Sequence, residues 1–79
     1  MTIREELNRI KWHEKDKEKY IIFYSDRASR TIQGIRFTEI KEIENNFFIV
    51  NNEGKEIEIP LHRIKEIRKE DKLIWRRNN

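Results

Sequence analysis

Apolar residues along this chain fall in short periodic clusters divided by polar runs, and the clusters predict the elements. Thr2-Ile3-Arg4-Glu5 has the form of a helical capping box, in which the Thr hydroxyl accepts from the Glu5 amide and the Glu5 carboxylate reaches back. Ile3, Leu7 and Ile10 follow at helical spacing, which predicts one helix of about three turns ending near Lys11 to His13. The run His13-Glu14-Lys15-Asp16-Lys17-Glu18-Lys19 has no apolar residue and reads as an exposed connection. Tyr20-Ile21-Ile22-Phe23-Tyr24 is β-branched or aromatic on both faces, as a central strand requires. A polar turn through Ala28, Ser29 and Arg30 leads to a returning strand from Thr31 to Arg36, in which Gly34 marks a bulge or bend.

The second half of the chain echoes itself. Ile35-Arg36-Phe37-Thr38-Glu39-Ile40-Lys41-Glu42-Ile43 aligns with Ile59-Pro60-Leu61-His62-Arg63-Ile64-Lys65-Glu66-Ile67, apolar against apolar at every corresponding position. The spacing Phe37…Ile40 and Leu61…Ile64 suits one tight helical turn, and the residues after it suit strand starts. Each copy continues through a polar hairpin turn into an apolar strand, Phe47 to Val50 in the first and Leu73 to Trp75 in the second. Asn51-Asn52-Glu53-Gly54 between the copies reads as a hairpin loop with Gly available for a positive φ. The expected class is α+β and mostly β: an N-terminal helix, then a small antiparallel curled sheet or partly closed barrel with short helical turns between strands. An open antiparallel sheet with the helix across it is the other arrangement.

Composition narrows the picture. The chain has 79 residues, 35% of them hydrophobic and 42% charged, so residues 1–79 are expected to form a single domain with a thin core and a heavily charged surface. Without Cys there is no disulfide frame and no thiolate metal site. No apolar run approaches the roughly 20 residues of a membrane span, and the first residues lack the apolar core of a signal peptide. The expectation is a cytoplasmic protein with no membrane partner. A net charge of +3, with Lys and Glu interleaved, points mainly to a solvated surface.

Candidate chemistry is sparse. Ser25 and Ser29 lack an activating motif, His13 and His62 lack metal-ligand spacing, and the carboxylates sit in charged runs with no apolar setting to raise a pKa. No enzymatic activity, metal or cofactor is expected. With glycine-rich phosphate loops also missing, any phosphate must be held by side chains, and arginine has the planar fork for it. Arg27 follows the most hydrophobic strand beside Asp26; the two either pair to close the turn or hold the guanidinium toward a ligand anion. His62 and Arg63 occupy the second tight turn, where His62 either caps a turn carbonyl or joins Arg63 on a phosphate or ribose. Trp12 and Trp75 suit core or rim packing ahead of stacking on unpaired bases, whereas Tyr20 and Tyr24, on one strand, suit a core role and stacking equally.

These residues form a set. Leu7…Ile10-Lys11-Trp12, Tyr24-Ser25-Asp26-Arg27, Ile59-Pro60-Leu61-His62-Arg63-Ile64 and Ile74-Trp75-Arg76-Arg77, in this order, resemble a small, mainly archaeal family labelled an RNA cyclic-group end recognition domain. The resemblance spans essentially the whole chain. It implies a non-enzymatic RNA-binding module in RNA repair or processing, recognising 2′,3′-cyclic phosphate or other processed 3′ ends of single-stranded RNA. By position it implies Asp26, Arg27, His62, Arg63 and Arg77 as polar site residues, with Trp12 and Trp75 as associated aromatics. His13 stands where the family commonly has Asp, and Ala28-Ser29-Arg30 replaces a segment that often carries Gly. A protein-interaction adaptor in a ribonucleoprotein or RNA-repair complex is the alternative, because a small barrel with an exposed strand can accept a partner strand.

Overall fold

The computed structural model describes residues 2–77. Helix α1 runs from Ile3 to His13, with Thr2 as N-cap and both arms of the capping box formed, at 3.2 Å from the Glu5 amide to the Thr2 hydroxyl and 2.8 Å from the Thr2 amide to the Glu5 carboxylate. Its spacing turns Leu7 and Ile10 inward, and both are fully buried. Seven strands follow among the described residues: β1 (Tyr20–Asp26), β2 (Thr31–Arg36), β3 (Ile40–Ile43), β4 (Phe47–Asn52), β5 (Lys55–Pro60), β6 (Ile64–Lys69) and β7 (Lys72–Arg76). They form two antiparallel sheets, ordered β2-β1-β6-β7 and β3-β4-β5, so β1 is central as its composition predicts. The connection after α1 is polar as expected, and its last residues, Lys17–Lys19, wind into one 3₁₀ turn.

Both copies of the echo fold alike. Each crosses from one sheet to the other through a 3₁₀ turn, Phe37–Glu39 between β2 and β3 and Leu61–Arg63 between β5 and β6. Phe37 and Leu61 anchor the turns in the core beside Ile22, Phe48, Ile64 and Ile67. The copies differ in how the turn begins. In the first, the Arg36 amide donates to the Glu39 carboxylate at 3.0 Å. In the second, Pro60 has no amide to satisfy, so position 63 needs no carboxylate and is free to be Arg. The β4–β5 hairpin closes through Glu53 and Gly54, both at positive φ (52° and 82°), the twist that suits a two-residue loop.

Gly34 does not mark a bulge. β2 pairs with β1 in unbroken register, and Gly34 lies opposite Phe23, whose ring would come within 3.1 Å of any Cβ at that position. The register shift lies instead on the other side of β1, between Phe23 and Tyr24 opposite β6, where β6 leaves its 3₁₀ turn. Gly34 is therefore a seat for an aromatic ring.

A polar network fastens α1 to β1. The Tyr20 hydroxyl donates to Glu14 at 2.7 Å, Arg9 donates to Glu14 at 3.2 Å, and the Arg9 Nε donates to the buried Glu6 at 3.1 Å. Burial, and next the Glu14 carboxylate, push the Tyr20 phenol up to about 12. This raised value is a stabilising contribution that is complete below the ordinary value near 10 and is lost as pH climbs through 12. We expect Tyr20→Phe to cost about 1–2 kcal/mol at neutral pH and to flatten the fall in stability between about pH 10 and 12, measured by urea unfolding across pH. Ile64→Ala, at a position 0% exposed, should cost about 2–5 kcal/mol, whereas Ile32→Ala, 56% exposed on β2, should stay within about 0.5 kcal/mol.

Candidate nucleic-acid interface

The turn Leu61–Arg63 decides where the predicted side chains go. A 3₁₀ helix has about three residues per turn, so residues i and i+3 share a face. Leu61 and Ile64 are both buried, and the two residues between them leave the core in different directions. His62 enters a cleft of about 510 Å³ with Arg77, Arg4, Thr2 and the turn residues Asn45 and Asn46. Arg63 enters another, of about 300 Å³, with Arg27, Tyr24, Ser25, Asp26 and Glu58. The cations thus gather as two pairs on either side of one turn, rather than as one group of four.

The two clefts differ in charge. Among the described residues, no carboxylate lines the His62–Arg77 cleft, whereas Asp26 and Glu58 line the other. The first also receives the N-terminal end of α1, whose backbone dipole adds partial positive charge. Glu5 stands next to it, but its carboxylate accepts from the Thr2 amide, and that bond above all draws its pKa below the usual carboxylate range.

Arg77 is both wall and clamp. Its Nε donates to the Ile64 carbonyl at 2.9 Å and its Nη2 to the Leu61 carbonyl at 3.0 Å, while its own amide donates to the Lys65 carbonyl at 2.9 Å. The guanidinium carbon lies 5.3 Å from the centre of the Trp75 ring, a cation–π distance. Of its five N–H donors, two are engaged in these bonds, and among the described residues the other three meet no acceptor. Trp75 itself packs half-buried against the core, beneath this arginine.

Several sequence expectations change here. Asp26 does not pair with Arg27 among the described residues; its carboxylate accepts from the Ala28 amide at 3.0 Å and shapes the turn, leaving Arg27 exposed. The His62 ring caps no turn carbonyl among the described residues, because Arg77 does that work. Trp12 is neither core nor rim: it is 72% exposed near the end of α1, with the Lys11 amine 5.2 Å from its ring centre. Tyr20 is a core residue, and Tyr24, half-buried, lines the Arg27–Arg63 cleft. Burial, with Asp26 nearby, raises the Tyr24 phenol, so its hydroxyl remains a donor. Arg4, Asn45 and Asn46 were not expected at the site. Arg4 carried a signal, since a cation in the first turn of a helix opposes the dipole and stands there for some other reason.

Comparison with known proteins places the chain as a whole in one family. Residues 1–77 match the family described as the MJ1316 RNA cyclic group end recognition domain, and the chain belongs to that family. It is similar to a UPF0248 protein of Metallosphaera sedula, 36% identical over 77 residues that span 98% of this chain and 94% of the relative. A UPF0248 protein of Saccharolobus solfataricus is 36% identical over 83 residues covering both chains in full, and one from Saccharolobus islandicus is 32% identical over 81 residues. No solved structure matches the chain.

The clamp makes its own prediction. Arg77→Lys retains the charge but not the fork that joins Leu61 to Ile64, so it should cost about 1–3 kcal/mol. Amide hydrogen exchange should show the loss concentrated in residues 61–65, and a uniform loss across the sheet would contradict the clamp.

Proposed function

We propose that this member of the RNA cyclic group end recognition family is a non-enzymatic module that holds a processed RNA 3′ end, with the terminal phosphate in the cleft of His62, Arg77 and Arg4. One observation carries the reading. This cleft collects two arginines, a histidine and the positive end of a helix, with no carboxylate among its described lining residues. A 2′,3′-cyclic phosphate is a diester with one negative charge, so two guanidinium groups with neutral donors match it without an extended basic surface. Asn45 and Asn46 supply amides for the ribose and ester oxygens. Arg27 and Arg63, across the turn, take the next stretch of backbone, where the nearby Asp26 and Glu58 weaken the hold on a phosphate.

The family description supports RNA ends as the ligand class. Single-stranded RNA fits better than duplex, since the two clefts flank one narrow turn and offer no long basic face. An adaptor role keeps one observation in its favour: β2, β3, β5 and β7 each have a free edge among the described strands.

Titration of short RNAs identical except for a 2′,3′-cyclic phosphate, a 3′-phosphate or a 3′-hydroxyl tests the reading. The cyclic end should bind about tenfold or more tightly than the hydroxyl end, and His62→Ala or Arg4→Ala should shrink that difference without unfolding the chain. The RNA should be recovered with its end unchanged. Equal affinity for cyclic and hydroxyl ends would sink end recognition.

A further inference from the structure

A third crevice lies where the two sheets fail to meet. β2 is the last strand of one sheet and β5 the last of the other, and residues of both line a cavity of about 200 Å³. Tyr24, Ile57 and Ile59 line this cavity and also the Arg27–Arg63 cleft, so the two spaces adjoin along one floor. The outer end of this shared groove holds its cations, Arg27 and Arg63, alongside the carboxylates of Asp26 and Glu58. The inner end is different: it has Gln33, Asn52 and Glu39, and no cation among its described lining residues.

That gradient selects what can enter. A phosphate is excluded from the inner end, where a carboxylate waits and no positive charge answers it. An uncharged planar group with N–H donors is suited to it, having an aromatic ring, aliphatic walls and polar acceptors. Gln33 uses its amide nitrogen on the Thr31 hydroxyl at 2.8 Å, which leaves its carbonyl oxygen as an acceptor. The Glu39 carboxylate accepts from the Arg36 amide and has lone pairs to spare. Two acceptors among the lining residues call for an amino group.

We propose that the crevice between β2 and β5 is a nucleobase site, taking an amino-bearing base (adenine, cytosine or guanine) from a nucleotide upstream of the RNA end while its phosphate rests on Arg27 and Arg63. The inference rests on the RNA-end reading for its ligand class and goes beyond it by assigning base selectivity to a separate part of the fold. The two 3₁₀ turns supply the polarity. Glu39 and Arg63 occupy equivalent positions in the two copies and mark opposite ends of the groove, one repelling phosphate and the other attracting it.

The test is an abasic scan. Tetranucleotides ending in a 2′,3′-cyclic phosphate, with each upstream base removed in turn, are titrated against the full chain. One upstream position should lose about tenfold in affinity without its base, the order expected for a lost stacking contact. At that position adenine, cytosine or guanine should bind at least about threefold better than uracil, whose edge offers one N–H and no amino group. Gln33→Leu, at an exposed position, should abolish this base preference while leaving the preference for a cyclic over a hydroxyl end intact; Ile32→Ala, on the same strand but lining neither space, should leave both. A flat scan would overturn the base site and leave the free edges of β2 and β5 to an extended polypeptide strand. A base preference without any end preference would overturn the terminal-phosphate reading and leave the base site standing. Failure of every RNA to bind would overturn both.

Discussion

One turn of 3₁₀ helix, Leu61–Arg63, sets the geometry on which the rest depends. Its pitch brings residues three apart onto one face, so burying Leu61 and Ile64 forces His62 and Arg63 outward and apart. The turn is held from both ends. Its first amide, on Leu61, donates to the Asn46 carbonyl at 2.9 Å, and Arg77 collects the carbonyls of Leu61 and Ile64. A chain this short has few ways to fix a loop rigidly. Here the loop is a bridge between sheets, anchored by core residues, and its two polar side chains have little freedom to change sides.

The same turn occurs twice, and the pair divides the surface. Thr38 and His62, the first of the two outward residues in each copy, line cavities that also contain residues of α1. Glu39 and Arg63, the second, line the spaces along the open seam floored by Tyr24, Ile57 and Ile59. Equivalent backbone positions have been given opposite charges. The difference traces to the preceding residue, because Arg36 has an amide that Glu39 satisfies, whereas Pro60 has none. A proline thus releases the place that an arginine fills.

Stability rests on a thin core tied at its margins by polar contacts. Among the described residues, eleven hydrophobic side chains are buried, and the single buried charge, Glu6, is matched by Arg9 rather than left alone. Arg9 in turn reaches Glu14, which accepts from Tyr20, so the end of α1 and the start of β1 share one network. This leaves the cations of the two clefts outside the ion pairs formed among the described residues, which are Arg9 with Glu6 and Glu14, Lys19 with Asp16 and Glu70, Lys41 with Glu56, and Arg68 with Glu66.

The sequence by itself determined what depends on near neighbours. The capping box and the spacing of Ile3, Leu7 and Ile10 specify α1, the two-sided apolar run specifies a central β1, and the echo specifies the two crossing turns, all through contacts within a few residues. Tertiary structure decided what depends on strands distant in sequence. Gly34 is explained by Phe23 across the hairpin, and the wet face of Trp12 by the end of a helix that packs through other residues. The split of Arg27, His62, Arg63 and Arg77 into two pairs, and the arrival of Arg4, Asn45, Gln33 and Asn52 beside them, follow from two sheets meeting around buried Leu61 and Ile64. Periodicity says which residues leave the core; only the packing of sheet against sheet says which of them share a cleft.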